Sequence, residues 1–108
     1  MASKRDSKLK KIVEALKKEF KPSRMFLFGS RADGTHRSDS DYDFMLVVPR
    51  NRKSRIDNMV RAEEAVKKEV DACLDVFVYS QREFDDWKDE LSSIPETAMN
   101  TGKEIDLG

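Results

Sequence analysis

The fold is decided by residues 26–48, which read FLFGSRADGTHRSDSDYDFMLVV. An apolar run at residues 25–28 stops at Gly29, and this pattern predicts a buried strand that ends in a tight turn. Residues 41–48 predict a second strand, which is closed by Pro49. The intervening residues 29–41 are turn-formers and charged residues, so we expect them to form a loop between the two strands.

Further elements are predicted on both sides of this stretch. Apolar residues at helical spacing predict a helix over about residues 7–20, which is ended by Lys21-Pro22. The same spacing predicts a second helix over about residues 53–72. A third strand is predicted at residues 74–79, and residues 103–107 either add a small strand or fray.

Two capping boxes indicate short helices near the end of the chain. They are Ser80-x-x-Glu83 and Ser93-x-x-Glu96. Phe84 and Trp87 fit one helix face, so both are expected in the core. The order of elements favours an α/β (α+β) fold, a small mixed sheet of three core strands flanked by helices. At 108 residues the chain is expected to form a single domain over residues 1–108.

Composition limits the class of protein. The 21 Lys and Arg balance the 21 Asp and Glu, so nothing indicates binding to nucleic acid or membrane. No apolar run approaches the roughly 20 residues of a membrane span, and the first residues, MASKRDSKLKK, lack a signal-peptide core. The single Cys73 cannot form an internal disulfide and is expected to be a buried small residue. We therefore expect a cytoplasmic protein.

The groups capable of chemistry lie around the predicted loop. The backbone and hydroxyl of Gly29-Ser30 are suited to phosphate oxygens. Asp41 and Asp43 are two residues apart on a predicted strand, so both carboxylates share a face. Two such carboxylates repel each other and favour a cation between them, and hard oxygen donors suit Mg²⁺. Asp75, at the start of the third strand among hydrophobic residues, needs a partner that the same metal could supply.

A calcium-binding loop is the alternative for these carboxylates. Residues 39–43 match the Asp-x-Asp-x-Asp opening of an EF-hand. That loop requires Gly at its sixth position and Glu at its twelfth, where this chain has Phe44 and Arg50. The sequence therefore argues against an EF-hand.

The same residues resemble the minimal nucleotidyltransferase family of the DNA polymerase beta superfamily. The family signature is an apolar strand, Gly-Ser, a spacer, Asp-x-Asp and a second apolar strand. Residues 26–48 satisfy it with a spacer of ten residues. The similarity extends from the first helix to about Leu107, and therefore covers nearly the whole chain.

The resemblance implies a role for each of these residues. Gly29 and Ser30 would hold the triphosphate of ATP, and Arg31 would contact a phosphate. Asp41, Asp43 and Asp75 would be the metal ligands and catalytic residues, binding two Mg²⁺ ions that clamp the attacking and leaving oxygens. A hydroxyl acceptor would receive AMP while pyrophosphate leaves.

The resemblance also implies a partner. Larger relatives carry a second domain for the acceptor, and minimal members resemble antitoxins that transfer AMP to a tyrosine of a helical HEPN toxin. We therefore expect a small HEPN-type partner and a possible homo- or hetero-oligomer. Three alternatives stay open: an antitoxin that neutralises its partner by binding alone, a transferase acting on a small molecule of aminoglycoside type, and a domain that binds nucleotide without transferring it.

Overall fold

The computed structural model describes residues 4–29, 32 and 41–108, with side chains from residue 7 onward. The described elements follow in the order α1 (Lys4–Phe20), β1 (Arg24–Phe28), β2 (Tyr42–Val48), α2 (Arg55–Lys67), β3 (Leu74–Ser80), α3 (Gln81–Trp87), α4 (Ile94–Thr101) and β4 (Lys103–Glu104). None of the helices that these residues form is long and apolar enough to cross a membrane.

The strands form one mixed sheet in the order β3-β2-β1-β4. β1 is antiparallel to both of its neighbours, whereas β2 and β3 are parallel. A parallel pair needs a crossover connection, which α2 provides. The predicted mixed sheet of three core strands flanked by helices is confirmed, with the short strand β4 added at the β1 edge.

The sheet separates two apolar layers because side chains alternate along each strand. On β2, Phe44 and Leu46 point to one face, and Met45 and Val47 point to the other. The first core lies between one face and helices α1 and α2; among its buried members are Ile12, Leu16, Ala62, Val66 and Val76. The second core lies on the other face with α3 and α4, and its buried members are Phe26, Phe28, Met45, Val47, Phe84 and Ala98.

The first helix ends where it was predicted to end, and the second ends earlier than predicted. Lys21, with φ of 48°, donates its N–H to the carbonyl of Lys17 and so closes α1. Helix α2 ends at Lys67 instead of about residue 72. The prediction of a longer helix was wrong. Val70 has helical spacing and packs on the first core, but it lies beyond the end of the helix, where its N–H donates to the carbonyl of Val66.

The caps of the last two helices differ from each other. Ser80 and Glu83 form a complete capping box at α3. At α4 the Ser93 hydroxyl accepts the N–H of Glu96, as predicted. The Glu96 carboxylate, however, accepts from Ser92, so the reciprocal half of the second box is displaced by one residue.

Two predicted burial states were wrong. Phe84 is 1% exposed, as expected, but Trp87 is 51% exposed. Helix α3 has only seven residues, and Trp87 is its last. Cys73 is also exposed. Its carbonyl accepts the N–H of Tyr42 at 3.0 Å, so its backbone is fixed beside the sheet while its thiol faces solvent.

Candidate functional site

Gly29 follows β1 directly and is held against a carboxylate. Its φ of +74° is a left-handed backbone conformation that residues other than glycine rarely adopt. A Cβ built on Gly29 would lie 2.4 Å from Oδ2 of Asp43. Glycine therefore suits this position by its backbone conformation, and any side chain here would displace the carboxylate of Asp43. Ser30 and Arg31, the other predicted nucleotide-binding residues, lie outside the described residues.

Asp43 and Asp75 are neighbours across the sheet. Asp43 on β2 is in register with Asp75 on the parallel strand β3, and with Phe28 on β1. Neighbouring strands lie about 4.8 Å apart. Asp43 shares a face with Met45, and Asp75 shares a face with Phe77, so both carboxylates lie at one end of the face that carries the second core. Asp41 precedes β2 and is exposed.

The electrostatics of Asp43 reflect this crowding. Partial burial raises the pKa of its carboxyl group, and the charges of Asp75 and Asp41 raise it further, in that order of size. Each of these causes opposes the ionised form, and a cation close to Asp43 would favour it. The structure thus places Asp41 and Asp75 near enough to Asp43 for their charges to raise its pKa.

Arg55 is a neighbour of the site that the sequence did not reveal. It is the first residue of α2, and its Nη2 donates to Oδ1 of Asp75 at 3.0 Å. Its guanidinium carbon also lies 4.2 Å from the centre of the Phe77 ring. No periodic pattern links Arg55 to a carboxylate twenty residues later, since the contact depends on where α2 begins relative to β3.

The donor set fits a hard divalent cation. Mg²⁺ is usually held by one or two carboxylates, while water and substrate phosphates complete its coordination. Asp43 and Asp75 offer two adjacent carboxylates of this kind. Over residues 7–29, 32 and 41–108, no group of three or more His, Cys, Asp or Glu side chains is arranged to hold a metal. The metal-binding roles of Asp41, Asp43 and Asp75 therefore stay predictions.

Comparison with known proteins supplies the family. The family model described as "Nucleotidyltransferase domain" matches residues 9–107. This match supports membership of the polymerase beta-like superfamily. It does not test the narrower resemblance to minimal antitoxins. No curated protein matches the chain at a significant level. The matched range includes both cores, Gly29 and the three carboxylates. The chain therefore belongs to the nucleotidyltransferase domain family.

Proposed function

We propose that this chain transfers AMP from ATP to a hydroxyl acceptor, with Mg²⁺ as its cofactor. The observation that carries the proposal is the register pairing of Asp43 with Asp75, beside a glycine whose missing Cβ leaves room for Oδ2 of Asp43. Nucleotidyl transfer itself follows from membership of the family. The nucleotide, the metal and the acceptor are the new parts of the proposal.

The chain's own residues have distinct roles in this reaction. Gly29, Ser30 and Arg31 would hold the triphosphate, since glycine lets the backbone approach phosphate oxygens. Asp41, Asp43 and Asp75 would hold Mg²⁺, which when bound neutralises charge on the reacting oxygens. Most of the catalysis would then come from positioning the acceptor and the phosphates.

The bond changes are those of an in-line displacement. The acceptor oxygen forms a bond to the α-phosphorus, and the bond from that phosphorus to the β-phosphate oxygen breaks, so pyrophosphate leaves. The acceptor proton passes to Asp75, whose Oδ2 is the oxygen that Arg55 does not contact. This assignment makes Asp75 the general base.

The proposed acceptor is a tyrosine hydroxyl of a small helical HEPN toxin, and the chain would act as its antitoxin. This part rests on the resemblance to minimal nucleotidyltransferases. We expect the pair to assemble in the cytoplasm, where the thiol of Cys73 stays reduced.

The test is transfer of labelled AMP. The full chain is incubated with ATP labelled at the α-phosphate, Mg²⁺ and a candidate partner protein. We expect label on the partner, and its loss on addition of EDTA. Asp43→Asn should lower the rate by about a hundredfold or more, because several kcal/mol of charge stabilisation disappear with the carboxylate. Asp86→Asn, on the exposed side of α3, is the matched control and should leave the rate unchanged.

Other outcomes would favour the rivals. Label on an aminoglycoside but on no protein would indicate a small-molecule transferase. Neutralisation of a toxin in cells by the D41A/D43A double variant would indicate an antitoxin that acts by binding alone. Binding of ATP with no AMP on protein, sugar or nucleic acid would overturn the transferase proposal.

A further inference from the structure

Arg55 reaches the carboxylates from outside the sheet. β3 is one of the two edge strands of the described sheet. The body of α2 packs on the first core through Ala62 and Val66. Arg55, at the first position of α2, nevertheless contacts Asp75 and Phe77, which belong to the opposite face of β3. Its side chain therefore crosses the open edge of the sheet to reach the face that carries Asp43.

The pairing gives Asp75 a positively charged partner in addition to its like-charged neighbour Asp43. Asp75 is in register with Asp43, and the two like charges oppose each other. Arg55 places a permanent cation 3.0 Å from Oδ1 of Asp75, because a guanidinium does not lose its proton in proteins. In the structure, the guanidinium thus stands at one of the oxygens that a divalent cation would use.

This ion pair is weak enough to exchange. The side chains of Arg55 and Asp75 are 53% and 40% exposed, and an exposed pair of this kind shifts an equilibrium by no more than about fivefold. The stacking of Arg55 on the Phe77 ring does not depend on Asp75. Arg55 can therefore release Asp75 and still remain beside the site.

We propose that Arg55 is a positioning residue that competes with the divalent cation for the carboxylate of Asp75. The proposal rests on the metal site of the proposed function. Without a cation, Arg55 neutralises Asp75 and holds its orientation beside Asp43. A cation at Oδ1 displaces the guanidinium, and a cation at Oδ2 is repelled by its charge, so in either case Arg55 weakens cation affinity.

The test measures binding of Mn²⁺ alone to the full chain, by electron paramagnetic resonance of free Mn²⁺. Arg55→Met should tighten binding by about two- to fivefold, because both the competing donor and its charge are removed. Arg55→Lys keeps the charge but loses the planar fork, and should lie between wild type and R55M. Arg52→Met, in the exposed loop before α2, removes the same charge and should tighten binding less.

A second substitution separates competition from a general change in charge. In an Asp75→Asn background, R55M should tighten Mn²⁺ binding no more than R52M does, since the contested carboxylate is gone and only the loss of charge remains. Unchanged or weaker Mn²⁺ binding by R55M would overturn the role of Arg55, and so would tightening that is as large with D75N as without it. A merely structural Arg55 would not give tighter binding on its removal.

Failure of the proposed function has a different signature. If Mn²⁺ binds equally to wild type and to D43N, the metal site itself is overturned. If binding depends on Asp43 but is the same in wild type and R55M, only the competition by Arg55 is overturned. If neither wild type nor R55M binds Mn²⁺, both are overturned.

Discussion

The two faces of the sheet are covered to different extents. The first core is covered by α1 and α2, of 17 and 13 residues, whereas the second core is covered by α3 and α4, of seven and eight. Asp43 and Asp75 lie on the less covered face, where water still reaches them. Since an ionised carboxylate is costly to bury, the difference teaches that the face with the shorter helices is the one able to carry charge.

Two adjacent residues of β2 test this comparison most strongly. Leu46 and Met45 are both fully buried, but Leu46 points into the first core and Met45 into the second. Either change to Ala should lower the free energy of unfolding by about 2–5 kcal/mol. Only Met45→Ala should also weaken Mn²⁺ binding by the folded protein, because Met45 shares its face with Asp43.

The measurements are urea unfolding followed by Mn²⁺ titration well below the midpoint of each variant. Leu46→Ala is the matched control for loss of stability. Equal weakening of Mn²⁺ binding by both variants would contradict the expectation that only the second core supports the carboxylates.

The sequence predicts the strands well because particular residues end them. Apolar runs end at Gly29 and at Pro49, and a period of two places Asp41 and Asp43 on one face. The partner of Asp43 across the sheet is harder to predict, since it depends on the register of β2 against β3. That register is set in part by the bond from Tyr42 N–H to the Cys73 carbonyl.

The periodicity of the sequence does not predict the exposure or the contacts of residues at the ends of helices. Trp87 has the spacing of a core residue relative to Phe84, yet it lies where a short helix ends. Arg55 has no spacing that relates it to Asp75, because its contact crosses the edge of β3. Both cases depend on how helices sit on the sheet, which a local pattern cannot specify.

The second prediction concerns the tight approach of Gly29 to Asp43. Gly29→Ala should cost about 1–2 kcal/mol for the left-handed backbone alone. In wild type it should cost more, because the new Cβ displaces Oδ2 of Asp43. In an Asp43→Ala background that contact is absent and only the backbone cost should remain.

A double-mutant cycle measured by urea unfolding checks this expectation. The cycle should give a non-zero interaction between the two positions. Strictly additive losses from G29A and D43A would show that Asp43 is not what excludes a side chain at residue 29.

The smallest expected effect is the pH dependence of Asp43. Its pKa is raised in the folded protein by burial first, then by Asp75 and Asp41. A raised carboxyl pKa contributes stability below the unfolded value of about 4, and that contribution is lost as pH rises through the folded pKa. In EDTA, Asp43→Asn should therefore be more stable than wild type at pH 7, with the difference shrinking at acid pH.

Urea midpoints across this pH range measure the effect, and Asp86→Asn on exposed α3 is the control. Because the carboxyl of Asp43 is only partly buried, the difference should be smaller than the cost of G29A. A D43N variant less stable than wild type at pH 7 would mean that the carboxylate contributes favourable contacts in the absence of metal.

The short strand β4 has a consequence for how the chain is made. It pairs with Phe26 and Leu27, nearly eighty residues earlier in the chain, and Glu104 accepts two hydrogen bonds from Arg24. During synthesis, β1 therefore has an open edge until residues 103–104 leave the ribosome. An unpaired apolar edge is a site for wrong pairing between chains. A chain truncated before Gly102 would keep that edge open, so it should associate with other copies of itself more readily than the full chain does.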